Sequence, residues 1–144
     1  MSRRDIATGD LFAVPTPAAP LPGSMDFRAT LSHLTSEMLR AAGVDRHEIA
    51  ATCSRLTGKD VSKYMLDGYT AESREEFNLP LWLVPALETA CRSHDLANWL
   101  AGVRGGRLLI GREALAAELG RITRQRQELA DQERALKDQM RRSR

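Results

Sequence analysis

Leu115, Leu119, Ile122, Arg126, Leu129, Glu133, Leu136 and Met140 follow one another at spacings of four and three in strict alternation, and no proline follows Pro85. That alternation is the heptad signature of a helix with one apolar seam, here with Leu115, Ile122, Leu129 and Leu136 at d and Leu119, Arg126, Glu133 and Met140 at a. It predicts an uninterrupted C-terminal helix of about 45 Å at a rise of 1.5 Å per residue. A single helix of this kind is marginal in water. The tail over 107–144 is therefore expected to be a coiled-coil oligomerisation helix, the alternative being a helix folded back on its own body. Arg126 and Glu133 cost stability in the seam but specify register. In a parallel dimer each meets its own copy, whereas an antiparallel pair centred near Leu129 brings Arg126 close to the partner's Glu133.

The rest of the chain is read against that tail. Hydrophobic residues make up 42% of the 144, aromatics only 5%, so the core should be built from aliphatic side chains. Net charge is +2, and it is unevenly spread: residues 112–144 hold nine Lys and Arg against six Asp and Glu, residues 25–111 ten against eleven. Any case for nucleic acid must come from local clustering. Cys53 and Cys91 lie far apart on apolar helix faces, with no Cys/His spacing suited to zinc, and read as core thiols with no metal and no cofactor. No apolar run reaches membrane-span length, so a cytoplasmic protein with no membrane partner is expected. Residues 1–24 carry Pro15, Pro17, Pro20 and Pro22. They read as a disordered, extended arm, with Leu11 and Phe12 as its only bulky apolar pair and polyproline docking as the alternative.

Between arm and tail, residues 25–106 should form a compact domain of four to five short helices, giving an all-α chain. Phe27, Leu31, Leu34, Met38 and Leu39 mark a first helix capped by Ser24 or Asp26 and ended by Gly43. Asp45 with Glu48 makes a capping box for a second helix whose inner face is Ile49, Ala50, Cys53 and Leu56. Gly58 supplies a left-handed turn. Asp60 caps a third helix with Val61, Tyr64, Met65 and Leu66 turned inward. Two short helices joined by a tight turn, with Arg46 to Tyr69 spanning them, are the layout of a helix-turn-helix. The candidate DNA contacts are Arg55, Thr57, Lys59, Ser62 and Lys63, with Arg74 following, because such side chains reach phosphates and base edges. Ala50 and Val61 stand eleven apart where the commonest pattern has ten, which implies a variant turn. Two packed helices with a solvated polar face are the plain alternative.

Further on, Pro80 and Pro85 bracket an entry to a helix running to Ser93, and 95–103 should form another, with Leu96, Trp99, Leu100 and Val103 packed. Trp82 and Trp99 are expected as core anchors. Arg107 to Ile110 reads as a short extended segment, pairing with its copy in another subunit. No nucleophile elbow, metalloprotease helix or paired acid beside a histidine is present, so no catalytic residue is assigned and a non-enzyme is expected.

The stretches LTGKDVSKYMLDGYTAESREEFNLP (56–80) and GGRLLIGREALAAELGRI (105–122) resemble a small family of DNA-binding or regulatory proteins encoded by Mu-like transposable phages and prophages. The resemblance covers roughly 27–140. More distantly the chain is similar to phage CII-type regulators, which pair a helix-turn-helix with an oligomerising C-terminus. The resemblance implies a phage early-region or regulatory role; joined to the helix-turn-helix and the heptad tail, the expectation is a transcription regulator that binds double-stranded DNA as a dimer or tetramer in a bacterial host. The alternatives are a small packaging subunit built from the same parts, and a protein-interaction adaptor that does not bind DNA.

Overall fold

A computed structural model describes residues 15–143. Among them are six α-helices: α1 (Arg28–Ala41), α2 (Arg46–Thr57), α3 (Lys63–Tyr69), α4 (Val84–Cys91), α5 (Asp95–Val103) and α6 (Arg112–Arg142), with a 3-10 turn over Leu81–Leu83 and no strand. The chain divides into two units, 1–107 and 108–144. The polypeptide is thus all-helical with a long C-terminal helix. Leu11 and Phe12 fall outside the described residues.

In the first unit the core is a single cluster drawn from every helix. Met38 and Leu39 of α1 meet Ile49, Ala50 and Cys53 of α2, Val61 of the turn, and Leu66 and Tyr69 of α3. Leu83, Ala86, Leu87 and Cys91 from the α4 region and Leu96 of α5 complete it. The aliphatic character expected from the composition is realised, since Tyr69 is the one aromatic ring in this buried set. Both cysteines are buried and free. Burial raises both thiols above their ordinary range, Cys91 to about 11 by desolvation first and then by Cys53, Asp95 and Glu88.

Helix ends follow local chemistry, with departures from expectation at the starts of α1 and α3. Asp45 caps α2 by accepting from the His47 N–H at 2.8 Å, and Gly58 ends it with φ 67°, a left-handed backbone only glycine adopts without strain. The cap of α3, however, is Ser62 rather than Asp60: its hydroxyl accepts from Met65 N–H at 3.2 Å. The helix starts later because Val61 must first enter the core. The Ser54 hydroxyl accepts from the Val61 N–H at 2.9 Å and so straps the connection to α2. The first helix begins at Arg28 rather than at Ser24. The Ser24 hydroxyl is used in its own turn, donating to the Ala19 and Leu21 carbonyls, while Asp26 accepts from the Arg28 N–H at 3.3 Å.

Part of the region expected as a free arm is placed. Pro17 bridges to Arg104, and the Ala18 N–H donates to the Val103 carbonyl at 2.9 Å. Gly105, at φ +77°, lets that strip approach; a Cβ there would lie 2.7 Å from Pro17. At the α4–α5 corner the buried Glu88 carboxylate accepts from the Ala97 N–H at 2.9 Å, satisfying a donor in the first turn of α5. The fourth helix stops at Cys91, short of Ser93, because Arg92 turns left-handed at φ 53°.

Four residues expected inside are outside. Leu56, Tyr64 and Trp82 are 53%, 60% and 48% exposed, and Leu100 is also exposed. Trp99 is half-buried, edge-on to Phe27 at 5.2 Å. Arg107 to Ile110 adopt no regular structure.

The second unit is α6. All its seam positions are exposed and it contains no buried residue. Its surface charges pair along the helix, Arg121 with Glu118, Arg134 with Asp131 and Lys137 with Glu133, at the three- and four-residue spacings that stabilise helices. Arg141 and Arg142 occupy its last turn, where positive charge complements the helix dipole.

Candidate nucleic-acid interface

The α2–turn–α3 unit turns Ile49, Ala50, Cys53, Val61 and Leu66 into the core and leaves Leu56 and Tyr64 with its charged residues on the open side. Arg55 stands exposed near the end of α2, its guanidinium 3.4 Å from the Thr52 hydroxyl. Lys59 follows in the turn, also exposed, its ammonium 4.6 Å above the Trp82 ring. Such a cation–π contact is worth about 0.5–1 kcal/mol at an exposed site. Leu56, Thr57, Lys59, Trp82, Pro85, Ala86 and Thr89 together line a shallow groove beside the turn.

The other candidates are committed to internal bonds. Thr57 donates to the Cys53 carbonyl at 2.7 Å and accepts from Lys59 N–H. Ser62 is the α3 cap. Lys63 is bound to Asp67, Nζ to Oδ2 at 2.6 Å, and Arg46 takes the other carboxylate oxygen, also at 2.6 Å. Arg46 donates in addition to the Thr70 hydroxyl at 3.2 Å. One carboxylate therefore ties the start of α2 to α3. The Lys63 hydrogen bond, followed by that from Arg46, holds the Asp67 carboxyl below its ordinary range against an opposing desolvation effect. All of these side chains keep about a third of their surface in solvent, so the pairing is screened and exchangeable.

Arg74 lies over aromatic rings, 5.0 Å from Tyr64 and 5.7 Å from Phe77, which meet each other edge-on at 5.8 Å. Its Nη1 is shut from solvent without a hydrogen-bond partner among the described residues. That is a fixed stacking position rather than one free to meet a phosphate.

No protein-family model, curated protein or solved structure matches this chain.

Of the six residues singled out for DNA, the structure thus leaves Arg55 and Lys59 open, holds Lys63 in an exchangeable pair, and uses Thr57, Ser62 and Arg74 to build the unit. Trp82 meets Lys59, Tyr64 meets Arg74 and Arg46 shares the carboxylate that holds Lys63, and none of these three was signalled. Arg46 and Asp67 are partners across two helices, and no local spacing announces such a pair. Trp82 sits between Pro80 and Pro85, where no helical face existed to say which way it points. Among the described residues no His, Cys, Asp or Glu cluster is gathered to hold a metal, and no helix is long and apolar enough to cross a membrane.

Proposed function

We propose that this chain is a non-enzymatic phage or prophage regulator that binds duplex DNA as an oligomer in the host cytoplasm. In this reading α2, the strapped turn and α3 are a helix-turn-helix, and α6 is a coiled-coil assembly helix. The observation that carries it is the pairing of a spent apolar face with an open cationic one. The unit buries Ile49, Ala50, Cys53, Val61 and Leu66 while Arg55 and Lys59 remain solvent-facing at its turn. Lys63 joins them when a phosphate displaces Asp67, an exchange eased by the third or so of each side chain that stays in solvent. With so few open cations per head, one copy binds weakly, and linked copies gain by effective concentration.

The test is a gel shift on the DNA upstream of the gene, repeated across salt concentrations. Phosphate contacts make affinity fall steeply with salt. The double variant R55A/K59A should lose roughly tenfold or more in affinity and show a shallower salt slope, with the oligomer unchanged. Undiminished binding by that variant overturns the head assignment. A second reading, an assembly protein without DNA binding, is favoured by the uncovered seam of α6. Absence of any shift at low salt would select it, and a ring of eight or more chains would select a packaging subunit.

A further inference from the structure

We infer that the partner of α6 is a second α6 of the same chain, running antiparallel, with the two-fold axis between Gln127 and Glu128. The inference rests on the assembly half of the proposal above and adds orientation and register.

The eight seam positions of α6 lie on a continuous 31-residue helix. Its apolar members stay open: Leu115, Leu119, Leu129, Leu136 and Met140 each exceed 60% exposure, and Ile122 is 42% exposed. An antiparallel pair packs a positions against d positions. Placing the axis between 127 and 128 matches all eight at once: Leu115 with Met140, Leu119 with Leu136, Ile122 with Glu133, Arg126 with Leu129. No seam position overhangs.

Charge decides against the parallel alternative. In a parallel pair Arg126 faces Arg126 and Glu133 faces Glu133, two like-charged layers inside the seam. In the antiparallel register each charge faces an aliphatic side chain, and Arg126 lies only about 6 Å of helix rise from Glu133 of the other copy, a gap the Arg side chain spans. Three of the four e positions beside the seam, Ala116, Thr123 and Ala130, are small, the fourth being Lys137.

Disulfide trapping on the full chain tests the arrangement. One population carries L119C and a size tag, the other L136C, with the unsubstituted chain as control for the buried Cys53 and Cys91. Mild oxidation should give the mixed 119–136 product. L119C alone should give none, because its two copies lie about 26 Å of helix rise apart. A 119–119 product, or a dimer giving no product of either kind, overturns the orientation and register and leaves assembly standing. A monomeric mass for the unsubstituted chain overturns the assembly reading itself. As an independent readout, R126E should weaken the dimer roughly tenfold by setting like charges together across the pair, and R126E/E133R should restore it. Equal dimer strength for the unsubstituted chain and R126E contradicts the antiparallel seam.

Discussion

The two units of this chain handle apolar surface in opposite ways. In the helical body, α1 to α5 use their aliphatic side chains on one another, and even polar groups such as Thr35, Glu88 and Ser54 are bonded internally. In α6 six large apolar side chains stand in solvent along one line, and no residue is buried. The body buries one shared aliphatic cluster and leaves Leu56, Tyr64, Trp82 and Leu100 outside it. On the reading proposed above, the long helix is completed by a second copy. What the difference teaches is that substitutions in the two units should report in different currencies, stability for one and concentration dependence for the other.

The largest effects should lie in the body's centre. Leu87 is fully buried where α4 meets the cluster. Replacing it by Ala should cost about 2–5 kcal/mol in urea unfolding, from lost burial and the cavity left behind, without changing the midpoint's dependence on protein concentration beyond that loss. In α6 the converse holds. Leu129→Asp should raise the dissociation constant of the assembly at least about 100-fold, near 2.7 kcal/mol, while the circular dichroism of the body's helices and its near-ultraviolet signal persist. If L129D instead unfolded the body, the separation between the units would be broken.

Glu88 sharpens the comparison because it is a charged residue that the body has absorbed. Glu88→Ala removes the acceptor for Ala97 N–H at the start of α5 and should cost about 1–2 kcal/mol, in the range of a lost helix cap. Glu88→Gln, which keeps an acceptor, should cost less. Equal losses would mean that packing rather than the hydrogen bond holds the corner.

The smallest effect is expected at Asp67, where body and candidate interface meet. Its carboxyl is held below the ordinary range when folded, chiefly by Lys63 and then Arg46. A depressed folded value stabilises the native state above the unfolded pKa and loses that contribution as pH falls through the lower folded value. The unsubstituted protein and D67N should therefore differ by no more than about 1 kcal/mol near neutrality, given solvent screening, and converge in acid. The same variant frees Lys63 and Arg46, so its affinity for duplex DNA at low salt should rise. A fall instead would mean that the Asp67 bridge shapes the head and that these cations do not meet phosphate.

How much was legible in advance follows the same division. The long helix of the tail was readable, because a heptad seam is a one-dimensional pattern carried by local helix geometry. In the body, the Asp45 cap, the Gly58 turn and the inner positions Ile49, Ala50, Cys53 and Leu66 were readable from local rules. What escaped was set by residues distant in sequence. Ser62 displaced Asp60 as a cap because Ser54 holds Val61 back. Leu56 and Tyr64 faced outward because periodicity defines a stripe but not how wide a neighbour will cover it. For the candidate interface, residue type pointed to Lys63 and Arg74 as cations. It did not reveal that Asp67 and the Tyr64–Phe77 pair already engage them.

The most direct test is the mass of the intact chain by light scattering over a range of concentrations at moderate salt. An exposed seam that a second copy covers predicts a particle of twice the 16.0 kDa chain mass, dissociating on dilution or on the L129D substitution. A particle of 16.0 kDa at every concentration would contradict it.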